Sequence, residues 1–334
     1  MKILYGIQGT GHGHISRARE ILPLLAETAD VDILISGYNC SMKLEQYEPV
    51  HKRGISLAYD SNGGVSYLQT ALKLQPIQFL KDVHGLDLDN YDLIISDYEP
   101  VTSWAASAAK RECLGLSHQA AFLSDKTPRP EKTSLFAERI LKHFAPCTDA
   151  IGFHFLRYDD FIEPPIIRRA VLNLNPQTGN HITVYLPAFD HETLASVFVQ
   201  FSDVEWQIFS PLCSKPYTKY NVTINPVGNE PFLESMESAI GVLTSAGFET
   251  SAETMYLGKK LMVVPIRNQY EQLCNAAALE KLGVTVAYKF GSDFVDVVKK
   301  WLYSNNPVQL SDIADTKMLT DKLTGQIEPA ALSF

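Results

Sequence analysis

Apolar residues fall along this chain in short runs, each followed by a Gly or polar turn and then by apolar positions spaced three and four apart. The pattern is clearest over residues 239–284. An apolar run at 239–243 ends in Thr244-Ser245-Ala246-Gly247, and Ala252, Met255 and Tyr256 then recur at helical spacing until Gly258 stops them. A second run at 261–264 reaches Pro265 and a polar loop from Arg267 to Gln272, with helix resuming near Asn275. The segment reads as strand, Gly turn, helix, strand, polar loop, helix.

The beginning of the chain repeats this arrangement. A strand at 2–8 runs into Gly9-Thr10-Gly11-His12-Gly13-His14, and Ile15, Ala18, Ile21, Leu22 and Leu25 mark the helix that follows. Further strands are expected at 31–36, 92–96, 115–118 and 150–155, with helical stretches at 66–83 and 101–111 between them. Such alternation implies a largely parallel sheet covered on both faces. The densest chain breakers lie between Glu163 and Asn180, around Pro164-Pro165 and Asn173 to Gly179. Strands then restart at 181–186, 204–209 and 222–224, and a tail helix is expected over 294–303. The organisation predicted is α/β: two Rossmann-like doubly wound units facing a cleft, at 1–165 and 181–334, joined by a linker at 166–180.

Length agrees, because 334 residues exceed what one core usually serves. An apolar fraction of 46% with 20% charged residues fits a soluble globular protein. The net charge of −9 argues against nucleic acid as a partner, since that surface must displace counterions with positive charge. Five cysteines without metal-ligand spacing read as reduced thiols in a cytoplasmic protein. The first residues are too short for a secretory apolar region, and no run approaches the ~20 apolar residues of a membrane span. Residues 126–143 carry Lys126, Arg129, Lys132, Arg139 and Lys142 against Glu131 and Glu138. A solvated helix face is the expected reading, and a peripheral membrane patch is the alternative.

The candidate chemistry sits where strands meet helices. The turn ending at Gly247 opens onto a helix N-terminus, where unpaired N–H groups and the positive end of the macrodipole favour phosphate. Two parallel strands would deliver their C-terminal loops to one crevice. Glu253, Glu271 and Gln272 there are acceptors suited to a hydroxyl-rich ligand. Phosphate and hydroxyl recognition together suggest a nucleotide sugar. In the first half, the spacing Gly9, Gly11, Gly13 is not the dinucleotide fingerprint, and no P-loop Lys follows. The histidines among these glycines suggest proton chemistry near neutral pH instead. Asp97, at the end of the strand at 92–96, is a candidate to hold His14 in the base-competent tautomer, or else a cap for the helix after Pro100. Asp30-Val31-Asp32 and Asp87-Leu88-Asp89 look like metal-binding D-x-D motifs, but the first abuts a strand start and the second a loop, so no metal is expected. No zinc spacing or nucleophile elbow is present.

Through Gly247, Thr250, Glu253, Gly258, Pro265, Gln272, Asn275 and Ala276, residues 239–284 resemble the donor-binding half of GT-B glycosyltransferases. That group includes the peptidoglycan lipid-intermediate N-acetylglucosaminyltransferase and UDP-glucosyltransferase-like proteins. Gly11-His12-Gly13-His14-Ile15-Ser16-Arg17 likewise resembles their G-x-G-H-x-x-R and G-G-H signatures. The resemblance implies a nucleoside diphosphate sugar, with uridine favoured, as donor and no separate cofactor. It assigns the diphosphate to Gly11, Gly13, Ser245, Gly247 and Thr250, the ribose to Glu253, and the sugar to Glu271 and Gln272. His14 would be the general base on an acceptor hydroxyl of a saccharide, lipid or small molecule, or alternatively a helix-capping residue. His12 and His118 fall on the acceptor side, His12 also within reach of phosphate. Many relatives carry a His where this chain has Ser245, which shifts diphosphate binding toward backbone N–H groups. The same fold also serves a nucleotide-sugar hydrolase of the pseudaminic acid pathway, 2-epimerases and binding proteins, and these remain rival readings.

Overall fold

The computed structural model describes residues 1–334 apart from 12, 38–43, 45, 57, 59–66, 305–306 and 326–334. Its first sheet contains β1 (Lys2–Gln8), β2 (Asp30–Ser36), β3 (Val50–Lys52), β4 (Leu93–Asp97), β5 (Leu114–Ser117), β6 (Asp149–Phe153) and β7 (Ile162–Glu163). These strands are parallel and lie in the order β3-β2-β1-β4-β5-β6-β7. The second sheet contains β8 (His181–Tyr185), β9 (Glu205–Ser210), β10 (Tyr217–Lys219), β11 (Val222–Pro226), β12 (Gly241–Thr244), β13 (Lys260–Val263) and β14 (Thr285–Val286). Its order is β10-β11-β9-β8-β12-β13-β14, and only β10 runs antiparallel. Each sheet reverses its winding beside its first strand, between β1 and β4 and between β8 and β12. These are the switch points where an open α/β sheet offers a crevice at its strand C-termini.

The helices of the first half are α1 (Gly13–Ala26), α2 (Tyr67–Lys73), α3 (Pro76–His84), α4 (Pro100–Ala108), α5 (Leu135–His143) and α6 (Arg169–Leu172). Those of the second are α7 (His191–Phe198), α8 (Asn229–Ser238), α9 (Phe248–Tyr256), α10 (Tyr270–Lys281), α11 (Phe294–Leu302) and α12 (Thr316–Leu323). Strand β1 is buried from Ile3 to Gln8, because helices cover both of its faces. The predicted stripe of α1, Ile15, Ala18, Ile21, Leu22 and Leu25, is buried throughout. Each of its larger side chains contributes roughly 1.5–3 kcal/mol of burial. One apolar cluster runs from these residues through Phe153 and Phe155 to Val242, Phe248 and Met255, so the two sheets share a core at their junction. Helix α12 returns to pack on α1 and adds Leu319 to that cluster.

The structure departs from the sequence reading where elements are short or begin with proline. The single helix expected over 66–83 is two, because Pro76 starts α3 after the break at Leu74-Gln75. Strands β3, β7, β10 and β14 have two or three residues each, too few to show a periodicity. Helix α10 begins at Tyr270 rather than near Asn275, which puts Glu271 and Gln272 in a helical first turn instead of a loop. An acidic residue is favoured there by the macrodipole. In the basic stretch, Lys126, Arg129 and Lys142 pair with Asp159, Glu138 and Asp125, which reduces its free positive charge. Among the described residues no helix is long and apolar enough to cross a membrane.

Candidate active site

The loop after β1 is held from behind before it turns into α1. Gly9 donates its N–H to the Ser36 carbonyl at 2.7 Å, Thr10 its hydroxyl to Ser56 at 2.7 Å, and Gln8 its amide to the Ile55 carbonyl at 2.9 Å. Gly11 then adopts φ +89°, the left-handed region that favours glycine, and the chain enters α1 at Gly13. His14 is therefore the second helical residue, at the C-terminal edge of the sheet. Asp97 ends the neighbouring strand, opposite Ile7 of β1. Its carboxylate Oδ1 lies 2.7 Å from His14 Nδ1.

Arg17, one turn further along α1, completes the arrangement. Its Nε donates to Asp97 Oδ2 at 3.0 Å and its Nη2 to Oδ1 at 2.6 Å, a two-pronged contact matched to carboxylate geometry. Asp97 is fully buried, and burial alone would push its carboxyl up. The Arg17 guanidinium and His14 outweigh that, so the carboxyl lies below its ordinary value and stays charged. Tyr98 holds φ 53°, a left-handed conformation unusual for a bulky residue, and its ring lies parallel to that of His14 at 6.4 Å. Glu99, not Asp97, caps α4: its carboxylate accepts from the N–H groups of Val101 and Thr102, both at 2.7 Å. The close approach of α4 explains Gly6, since a Cβ there would stand 2.4 Å from Thr102 Oγ1.

Across from α1, β12 passes through Ser245-Ala246-Gly247 into α9. Gly247 is the N-cap, no side chain caps the turn, and a Cβ at Gly247 would meet nothing within 4 Å. Ser245 is nearly buried and its N–H donates to the Tyr185 carbonyl at 3.3 Å. Thr250 sits half-buried in the first turn, where its carbonyl accepts from Thr254. Glu249, in that same turn, reaches over to the N-terminal unit. Its Oε1 accepts from Arg17 Nη1 at 2.8 Å, and a Cβ on Gly13 would be 2.4 Å from its Oε2. A side chain at position 13 would displace this carboxylate from where it rests.

The remaining predicted residues mostly join the halves. Both carboxylate oxygens of Glu253 are taken by Arg168 of the linker, at 2.5 and 2.7 Å. Burial raises the Glu253 carboxyl, and the Arg168 guanidinium only partly offsets it. Glu271 accepts from Gln119 Nε2 at 2.9 Å, and the Gln272 side-chain carbonyl accepts from the Ile266 N–H at 2.9 Å. His118, expected on the acceptor side, has both ring nitrogens engaged within the protein. It is 1% exposed, with Nδ1 donating to the Phe153 carbonyl at 2.7 Å and Nε2 2.8 Å from Asn275 Oδ1. Its ring stacks on Phe248 of α9 at 3.9 Å, and burial lowers its pKa. His12 lies outside the described residues. Asp32 and Asp87 are occupied by Tyr91 and by the Asp89 N–H.

The structure thus brings His14, Asp97, Gly13 and the first turn of α9 together, while Glu271 and His118 bind partners from the opposite half and Glu253 binds Arg168 of the linker. Sequence reasoning gave no role to Arg17, Glu249, Arg168 or Gln119. Arg17 carried a local signal, since it follows His14 at the three-residue spacing that shares a helix face. The others are paired across 85 to 232 residues of chain, which no local pattern records.

Two doubly wound sheets with facing switch points, a Gly-rich turn opening onto a helix at each, define the GT-B glycosyltransferase class. Similar solved structures share it. The glycosyltransferase SnogD from Streptomyces nogalater has a TM-score of 0.60 at 14% identity, covering 98% of this chain and 99% of its own. MurG from Acinetobacter baumannii has 0.56 at 12% identity, covering 98% and 100%. UGT89C1 from Arabidopsis thaliana, solved with UDP, has 0.54 at 13% identity, covering 97% and 94%. The model of glycosyl transferase family 1 matches residues 1–305, and the chain belongs to that family. No curated protein matches it in sequence.

Proposed function

We propose that this glycosyltransferase moves a hexosyl group from a nucleoside diphosphate sugar, UDP-linked, to a hydroxyl of a saccharide, lipid or small-molecule acceptor, with inversion. The observation that carries the reading is the His14–Asp97 contact of 2.7 Å, set beside the uncapped first turn of α9. Asp97 accepts a hydrogen bond from Nδ1–H, which keeps the proton on Nδ1 and leaves Nε2 with a free lone pair. In the reaction, Nε2 takes the acceptor's proton as its oxygen attacks C1 from the face opposite the leaving group. The C1–oxygen bond breaks, and the diphosphate leaves with the electron pair. The N–H groups at the start of α9, aided by its macrodipole, stabilise that charge in place of a metal. The Arabidopsis relative, solved with UDP and with UDP-L-rhamnose, supports a uridine donor on this fold.

Thermal unfolding with UDP, GDP, dTDP, CDP and ADP in turn tests the donor. A nucleotide at ~100 times its dissociation constant stabilises by ~2.7 kcal/mol, enough to raise the midpoint by several degrees. A shift with UDP supports the reading, and no shift with any of the five sinks it. Product analysis with a UDP-sugar then separates the alternatives on this fold. Free sugar without acceptor means that water is the acceptor, and an altered sugar still on its nucleotide means epimerisation. Binding with neither outcome, and no transfer, means a binding protein.

A further inference from the structure

Arg17 is 4% exposed, yet its guanidinium bridges two elements that belong to different sheets. One edge is fixed on Asp97 by Nε and Nη2, and Nη1 reaches Glu249 on α9. The Glu249 carboxylate itself lies between two helix starts: it belongs to the first turn of α9, and it rests against Gly13, the first residue of α1, where a Cβ would fall 2.4 to 2.7 Å from its atoms. Two positive helix ends and a buried guanidinium therefore converge on one carboxylate. The reaction proposed above gives that carboxylate no role, and its charge opposes any phosphate brought to the same turn.

We infer that Glu249 holds the place of the donor diphosphate, and that Arg17 exchanges its Nη1 hydrogen bond from Glu249 to a diphosphate oxygen when donor binds. This rests on the donor reading above and adds a ligand to it. The exchange moves one hydrogen bond and breaks no covalent bond. Asp97 keeps Nε and Nη2 throughout, so the guanidinium plane links the leaving group to the carboxylate that orients His14. Lysine cannot substitute, because a single ammonium on a flexible stem lacks the planar fork that spans both partners. The side chain of Glu249 is 26% exposed, against 3% for Arg17, so the carboxylate has somewhere to go and the guanidinium does not.

Isothermal titration of the full chain with UDP and with inorganic pyrophosphate tests the exchange. Glu249→Gln is expected to bind both several-fold more tightly than the wild type, Glu249→Asp to stay near it, and Arg17→Lys to bind more weakly with a lower kcat. A purely structural role for Glu249 predicts weaker binding in Glu249→Gln, and unchanged or weaker binding overturns the inference. Glu249→Ser, whose hydroxyl suits a first helical turn, serves if Glu249→Gln does not fold. If the wild type binds UDP and Glu249→Gln binds it no tighter, the exchange fails and the donor site stands. If the wild type binds neither probe, a gain of binding in Glu249→Gln still supports the placeholder, and its absence overturns both.

Discussion

The two turn–helix units of this protein, Gly9 to Ala26 and Thr244 to Tyr256, are built alike and charged oppositely. Each leaves the first strand or its neighbour at a switch point, passes glycine and enters a helix. The buried polar face of α1 carries His14, Ser16 and Arg17. On α9 the corresponding residues are Glu249 and Glu253, one turn apart. A shared backbone plan thus presents a histidine and a guanidinium on one wall and carboxylates on the other, and the walls interlock through Arg17 and Arg168. The backbones are alike, and it is the side chains of the first turn that make the two walls different.

The comparison breaks most severely at His14. His14→Ala is expected to lower turnover by ~10²- to 10⁴-fold while nucleotide still shifts the unfolding midpoint, because α9 is untouched. Loss of the nucleotide shift as well would mean that the two walls are not separable. Asp97→Asn removes the carboxylate that compensates Arg17 in a buried site. Breaking such a pair is destabilising by roughly 3–5 kcal/mol, visible in urea or thermal unfolding. A change within experimental scatter would show that Arg17 finds its balance in Glu249 alone.

The smallest effect concerns the histidines at the junction. Burial lowers the pKa of His118 and drives that of His154 well below the ordinary value. Unfolded, both rings take a proton near ~6.5, whereas burial makes the folded rings take it only at lower pH. Their contribution is therefore complete above that pH and is lost as pH falls from there toward the folded values. The unfolding midpoint should drop between pH 7.5 and 5.5, and His154→Phe should flatten the slope. A midpoint that holds steady across this range would count against neutral buried rings.

Much of this was legible in sequence because it is local. The two Gly turns, the apolar stripe of α1 and the strands that carry the switch points declare themselves through spacing. For Asp97 the strand ends left two readings open, partner of His14 or cap of α4, and the structure puts it on His14 and gives the cap to Glu99. The edge strands β3, β7, β10 and β14 escaped because two or three residues have no period, and α10 began early because polar Glu271 and Gln272 occupy a first turn that looks like loop. At the site, Glu253 looked free for a ligand until Arg168 was found on it, and His118 looked available until Phe248 and Asn275 enclosed it. Those partners are set by how the two sheets meet, which depends on the whole chain.

The return of α12 to α1 has a mechanical consequence. The chain crosses between the halves twice, after β7 and again before α12, and the Ala314 N–H donates to the Pro165 carbonyl at 2.9 Å where the two crossings run together. Two tethers joined at one point behave as a pinned axle. Sliding one half sideways past the other would stretch one tether against the other, so the pin fixes the line along which His14 faces the start of α9.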